Sequence, residues 1–209
     1  MTQIKICGIT NLADARYASG AGADFLGFIQ HEASPRYIAP DMARDIISWV
    51  YGARPVGVFV DRDAEEVNQI CKKAGFEFAQ LHGDESVEYC QQMDQPIIKV
   101  FHVDSQTSAD NLKNEYAKFE GIAEYFLVDT GSETSPGGTG KTFDWSILEQ
   151  LSSPLPLFLA GGLTPENISE AVTRVGPFGV DVSSGVEESP GKKDFERIDD
   201  FVRAIRNEA

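Results

Sequence analysis

Eight short apolar runs, separated by stretches of helical periodicity, constrain this chain more than any other feature. The runs are Ile4-Lys5-Ile6-Cys7, Phe25-Leu26-Gly27-Phe28-Ile29, Val56-Gly57-Val58-Phe59-Val60, Phe76-Glu77-Phe78-Ala79-Gln80-Leu81, Ile97-Ile98-Lys99-Val100-Phe101, Tyr125-Phe126-Leu127-Val128-Asp129, Pro156-Leu157-Phe158-Leu159 and Phe178-Gly179-Val180. Short apolar runs bounded by polar and glycine turns suit strands buried in a parallel sheet. Between them, Val67, Ile70, Cys71 and Ala74 form one apolar helical stripe, and Phe195, Ile198, Phe201, Val202 and Ile205 form another. Thr164-Pro165-Glu166-Asn167 reads as a helix start, with Thr164 as N-cap and Pro165 at the first helical position. Strand and helix alternating eight times predict a single-domain (β/α)8 TIM barrel over residues 1–209, near the small end of that class. A doubly wound sheet is the alternative. Against it, the first run leads into Cys7-Gly8-Ile9-Thr10 and not into a glycine-rich dinucleotide turn.

Two late turns are glycine-centred. Ala160-Gly161-Gly162-Leu163-Thr164-Pro165 follows the seventh run, and Asp181-Val182-Ser183-Ser184-Gly185-Val186 follows the eighth. Backbone N–H groups approach an anion's oxygens only where no Cβ intervenes. The turns after strands 7 and 8 are the usual phosphate site of a parallel barrel. Gly161, Gly162, Ser184 and Gly185 are thus the expected phosphate contacts, and a phosphorylated small molecule is the expected partner. The chain has 18 Lys plus Arg against 33 Asp plus Glu, a formal charge of −15. That surface disfavours nucleic acid and anionic membranes. It also repels phosphate at long range, but salt screens exposed charge beyond about 10 Å at 0.1 M, so clustered amides prevail locally. No apolar stretch is long enough to span a bilayer, and Met1-Thr2-Gln3-Ile4-Lys5 lacks a leader pattern. Three cysteines, Cys7, Cys71 and Cys90, point to free thiols in a reducing compartment. A cytoplasmic protein, monomeric or homodimeric, is expected.

Several residues have the types and places that chemistry needs. Cys7 closes the first run ahead of Gly8, which puts a thiol at the barrel mouth; a small buried hydrophobe is the other reading. Cys71 lies on a helical stripe and Cys90 three residues after Val87, both packing positions. Asp129 closes the sixth run, where a carboxylate is costly without a partner or a task. Partial burial would raise its pKa and suit it to act as an acid near neutral pH; a loop cap is the alternative. Asp181, within the eighth run, is placed to position substrate or to orient a neighbour. Arg36, in Ser34-Pro35-Arg36-Tyr37, suits bidentate capture of a carboxylate. His82, in Leu81-His82-Gly83-Asp84, is placed to donate to substrate or to satisfy backbone groups. Lys5 shares a face with Cys7, two residues on. His31, His82 and His102 are far apart in sequence and no cysteine pair has ligand spacing, so no metal site is expected. There is no Walker loop and no dinucleotide fingerprint. The stretch Gly131–Gly140 reads as a mobile loop over the active face.

Six motifs then occur in order along nearly the whole chain. They are Lys5-Ile6-Cys7-Gly8-Ile9-Thr10, Ser34-Pro35-Arg36, Leu81-His82-Gly83, Asp129-Thr130 with Gly137-Gly138-Thr139-Gly140-Lys141-Thr142-Phe143-Asp144-Trp145, Ala160-Gly161-Gly162-Leu163, and Asp181-Val182-Ser183-Ser184-Gly185-Val186-Glu187. In this order and spacing the chain resembles the phosphoribosylanthranilate isomerases of tryptophan biosynthesis. Gln30-His31-Glu32 departs from the pattern, since relatives often carry more apolar or basic residues there. The resemblance implies an Amadori rearrangement of N-(5-phosphoribosyl)anthranilate to 1-(2-carboxyphenylamino)-1-deoxyribulose 5-phosphate. It implies Cys7 as general base, Asp129 as general acid, Arg36 on the anthranilate carboxylate, and Gly162, Ser184 and Gly185 around the phosphate. A free thiol titrates near about 8.5, and a slightly depressed value would supply enough thiolate. The substrate's own imine is the electron sink, so no cofactor is expected, neither pyridoxal nor metal. The histidine-pathway sugar isomerase uses paired aspartates, which Cys7 argues against. Indole-glycerol-phosphate synthase needs a lysine on an early strand, a place that Lys5 could fill. A non-catalytic sugar-phosphate binder would keep the glycine loops without requiring both Cys7 and Asp129.

Overall fold

All eight apolar runs become parallel strands: β1 (Gln3–Cys7), β2 (Phe25–Ile29), β3 (Arg54–Phe59), β4 (Phe78–Leu81), β5 (Ile97–His102), β6 (Tyr125–Asp129), β7 (Leu157–Ala160) and β8 (Gly179–Val182). They close into a barrel in chain order, with β8 pairing back onto β1. The structure, a computed structural model, describes residues 1–104, 106–129, 145–149 and 151–206. The expected loop Gly131–Gly140, and Thr130 with Lys141–Asp144 of the fourth motif, lie outside the described residues. Helices α1 (Leu12–Gly20), α2 (Pro40–Ile47), α3 (Ala64–Ala74), α4 (Val87–Cys90), α5 (Ala109–Phe119), α6 (Ser146–Glu149), α7 (Ile168–Val175) and α8 (Phe195–Arg206) alternate with the strands. A short antiparallel pair, β9 (Glu187–Ser189) and β10 (Lys192–Lys193), leads from β8 into α8.

Local chemistry explains these boundaries. Asp63 caps α3 by accepting from the amides of Glu65 and Glu66, and Gly75, at φ 80°, ends it in the left-handed conformation. The α3 stripe buries Val67, Cys71 and Ala74, and the α8 stripe buries Ile198, Phe201 and Ile205. Full burial of such an aliphatic or aromatic side chain contributes about 1.5–3 kcal/mol. Inside the barrel a second core gathers Phe25, Val56, Phe78, Ile98, Val100, Leu127, Phe158 and Ala160. Phe25 meets Phe78, Tyr125 and Phe158 edge to face, with centroids 5.3–6.0 Å apart, and Phe178 stacks on Tyr125. This aromatic plug fills the N-terminal end. The period of two then carries each strand's next inward side chains toward the C-terminal mouth.

Two local boundaries are corrected and one placement holds. Strand β4 begins at Phe78, not Phe76, because Phe76 packs outside the barrel against Phe28 and Phe59. The placement of Asp181 within the eighth strand holds: β8 runs to Val182 and sets Asp181 in the ladder opposite Lys5. Helix α7 starts at Ile168, after Asn167, and not at Pro165, although Thr164 does make cap bonds: its Oγ1 accepts from the Glu166 amide at 3.3 Å and its carbonyl from the Ile168 amide at 3.0 Å. The Asn167 side chain reaches back instead, accepting from the Thr164 amide at 2.8 Å and donating to the Gly162 carbonyl at 2.9 Å. That bonding favours a turn over residues 164–167.

Candidate active site

The mouth is assembled from strand ends. Cys7, His102 and Asp129 are the last residues of β1, β5 and β6, and His82 directly follows β4. Lys5 and Cys7 both project inward. Lys5 Nζ donates to Asp181 Oδ1 at 2.9 Å and is fully buried. Gly27 on β2 makes room for both: a Cβ there would lie 2.7 Å from Cys7 Sγ and 3.0 Å from Lys5 Nζ. Burial alone would lower the Lys5 pKa, but Asp181 and Cys7 outweigh it and hold it above the usual lysine value. Burial pushes the Cys7 thiol up, against the pull of Lys5 and Lys193 and with the push of Asp181. The expected slight depression is thus reversed, because desolvation of the thiolate exceeds the attraction of two buried ammonium groups.

A base that must first lose its proton, and that holds it more tightly than usual, works better as pH rises. The groups facing Cys7 are Lys5 on its own strand, Asp181 on β8, Lys193 on β10 and the Arg36 guanidinium. The kcat/KM profile is expected to climb from neutral pH through and above the ordinary thiol range. Lys5→Met is expected to move that limb still higher, since it removes a cation that favours the thiolate. A profile that is flat from neutral pH upward, or unmoved by Lys5→Met, would contradict this.

The two glycine loops meet. Gly161 and Gly162 have φ of 88° and 63°, a conformation open to glycine at little cost. A Cβ on Gly185 would overlap the Leu163 carbonyl, so bare backbone is what lets the β8 loop lie against the β7 loop. Ser184–Val186 form one tight helical turn, and Arg197 donates Nε to the Gly185 carbonyl at 2.9 Å, anchoring it from α8. The four expected phosphate contacts, Gly161, Gly162, Ser184 and Gly185, therefore share one region after strands 7 and 8.

Arg36 reaches the mouth with its fork already engaged. Its Nε and Nη2 donate to the Glu187 carboxylate at 2.7–3.0 Å. Lys193 Nζ also donates to Glu187, at 2.9 Å, and to the carbonyls of Cys7 and Ser183. Burial would raise Glu187, but Arg36 and Lys193 together hold its carboxyl below the usual value. The cluster ties the end of β1 to the loop after β8 and fixes the plane of Arg36. In the departing segment, Gln30 is buried and donates to the Ile38 carbonyl at 3.1 Å.

Across the mouth the structure gathers His82, His102 and Asp129, which the sequence places far apart. His82 Nε2 lies 3.4 Å from Asp129 Oδ2, and His102 pairs in register with Asp129. Gln80, one inward position below His82, sets its amide Nε2 3.1 Å from His82 Nδ1. The turn carrying His82 is pinned by Lys99, whose Nζ donates at 2.7 Å to both the Gly83 carbonyl and Glu85. Sequence reasoning assigned no task to Lys99, Gln80, Glu187 or Lys193. A signal existed for Lys99, as for Lys5: a lysine between aliphatic residues inside a strand has to find a buried partner. Glu187 and Lys193 carried none: besides each other they bind Arg36 and the Cys7 carbonyl, 151 and 186 residues away.

The family model described as N-(5'-phosphoribosyl)anthranilate (PRA) isomerase matches residues 4–204. An N-(5'-phosphoribosyl)anthranilate isomerase from Geobacter metallireducens is 44% identical, over 99% of this chain and 100% of its own length. The crystal structure of phosphoribosyl anthranilate isomerase from Thermotoga maritima superposes with a TM-score of 0.88 at 37% identity, covering 99% of this chain and 100% of that one. A crystal structure of phosphoribosyl anthranilate isomerase in complex with reduced 1-(o-carboxyphenylamino)-1-deoxyribulose 5-phosphate gives 0.83 at 35% identity, with 99% and 100% coverage. With matches of this extent to the sequence and to the barrel, the chain belongs to the N-(5'-phosphoribosyl)anthranilate isomerase family.

Proposed function

We propose that this chain isomerises N-(5'-phosphoribosyl)anthranilate to 1-(2-carboxyphenylamino)-1-deoxyribulose 5-phosphate in tryptophan biosynthesis, with Asp129 as general acid and Cys7 as general base. One observation carries the assignment. Around the closed barrel the order is β6, β7, β8, β1, so the strands bearing Asp129 and Cys7 flank the two strands whose loops would hold the phosphate. A sugar pinned by its phosphate on Gly161, Gly162, Ser184 and Gly185 then has an acid on one side and a thiol on the other.

The chemistry follows in balanced steps. The anilino nitrogen pushes its lone pair toward C1, the bond from C1 to the ring oxygen breaks, and Asp129 protonates that oxygen. The product is an open-chain iminium. It acidifies the proton on C2, which the Cys7 thiolate removes; the C–H pair becomes the C1=C2 bond and the iminium pair returns to nitrogen. The enol then moves its hydroxyl proton to C1, giving the C2 ketone. Cys7 ends protonated and Asp129 ionised, and proton exchange resets both. The iminium is the electron sink, so the residues named suffice for the proton movements. Lys5 and Asp181 sit below Cys7, and Asp181 is placed to orient the lysine and to reach a sugar hydroxyl. His82 is placed to steady Asp129.

A decline in anthranilate-substrate fluorescence on adding the purified protein tests the activity. A protein that binds the sugar phosphate without consuming it would overturn the enzymatic reading. Arg36 bears on the same experiment: with Nε and Nη2 on Glu187, its remaining Nη1 is the edge that would meet the anthranilate carboxylate. Arg36→Met is expected to raise KM by tenfold or more, about 1.4 kcal/mol of lost binding, with a smaller effect on kcat. An unchanged KM would remove that contact.

A further inference from the structure

We propose that His82, His102 and Asp129 form a site for a zinc-class divalent cation at the barrel mouth, and that this cation competes with the sugar phosphate. Each residue offers one ligand atom, and these atoms lie within 4.8 Å of one another. His82 Nε2 and Asp129 Oδ2 are 3.4 Å apart. Zinc bonds to nitrogen and oxygen are about 2.0–2.1 Å long, and two of them meeting at a tetrahedral angle hold their donor atoms about 3.3 Å apart. The first two ligands are therefore already at metal-bridging distance. His102 is exposed, its ring centroid 5.0 Å from that of His82, so a small side-chain rotation completes the set.

Both imidazoles are oriented from behind, as metal-ligating histidines are. His102 Nε2 lies 2.9 Å from the His82 carbonyl. A carbonyl only accepts, so Nε2 carries the proton and the lone pair is on Nδ1. Behind His82 stands the Gln80 amide, 3.1 Å from Nδ1. Gln80 Oε1 is buried with no hydrogen-bond partner. Turning that amide over brings Oε1 onto a protonated Nδ1 and leaves the Nε2 lone pair of His82 facing Asp129. The amide can therefore support either His82 tautomer, including the one that metal binding requires, with one of its two polar atoms lacking a partner in each orientation. Two imidazoles and one carboxylate, leaving a coordination position for water, are the ligand set of an open zinc site. Magnesium and calcium prefer all-oxygen shells. The ligands stand at the ends of three adjacent strands, β4, β5 and β6, so the scaffold is rigid. The chain's charge of −15 favours cation entry.

The effect on turnover rests on the reading of Asp129 as the acid; binding itself does not. Cobalt(II), a spectroscopic substitute for zinc, is titrated into the wild-type protein, His102→Ala and Cys7→Ser, and zinc inhibition is measured in the fluorescence assay. Visible absorption of a four-coordinate nitrogen–oxygen site is expected in the wild type and in Cys7→Ser. In His102→Ala, cobalt affinity and zinc inhibition are expected to weaken by at least about tenfold, while turnover in chelator-treated buffer matches wild type. Equal cobalt affinity in His102→Ala, or loss of the signal in Cys7→Ser, overturns the site; the latter would mean that the metal sits on the thiol. Cobalt binding that depends on His102 but leaves turnover intact upholds the site, overturns its competition with the sugar phosphate, and counts against Asp129 as the acid.

Discussion

Replacing Cys7 by alanine is expected to lower kcat by about 10²–10⁴-fold, the range of general acid–base catalysis. At about 1.36 kcal/mol per decade this is about 2.7–5.4 kcal/mol of transition-state stabilisation. The size of the effect follows from the absence of a substitute on β1. The nearest basic side chain, Lys5, is protonated and committed to Asp181 at 2.9 Å, so it cannot accept the C2 proton. The phosphate loops are untouched, so KM should change little. Loss of one buried sulfur leaves a small cavity costing about 1 kcal/mol, and circular dichroism should show the barrel intact. Cys7→Ser is expected to resemble the alanine variant, because a buried hydroxyl ionises far less readily than a thiol. A kcat close to wild type in a folded Cys7→Ala protein would remove the base from this account.

Asp129→Asn is expected to cost a similar factor, about 10²–10⁴ in kcat. The amide keeps the volume and the contact with His82, now 3.4 Å from Oδ2, but has no proton to give to the departing ring oxygen. The variant should bind product as the wild type does, which separates a lost acid from a distorted mouth. Strand β6 pairs with β5 and β7 along its length, so the backbone at residue 129 is held independently of its side chain. Retained turnover in Asp129→Asn would move the acid role elsewhere, with His82 the first group to examine.

Most of the barrel could be read along the chain, for a local reason. Runs such as Phe25–Ile29 and Tyr125–Asp129 are apolar because both faces of each strand are covered, and such a run declares itself without knowledge of its neighbours. The edges were less legible. Phe76 is as hydrophobic as Phe78, and only packing against Phe28 and Phe59 keeps it out of the strand. At α7 the Thr164 cap was legible and its hydroxyl does accept from the Glu166 amide, but the regular helix begins only at Ile168, because the Asn167 side chain bonds back to the loop.

The order of types along the chain determined the eight-fold alternation, the two bare-backbone turns after strands 7 and 8, and a thiol and a carboxylate each closing a strand. These are properties of neighbours in sequence, governed by steric period and by the absence of a Cβ. Closure of the barrel decided the rest. It set Lys5 against Asp181, 176 residues apart, and Arg36 against Glu187, 151 apart. It brought two distant histidines to Asp129, and it buried Cys7 deeply enough to reverse the direction in which its thiol titrates. Desolvation and long-range pairing depend on which strand lies beside which, and no stretch of one strand contains that information.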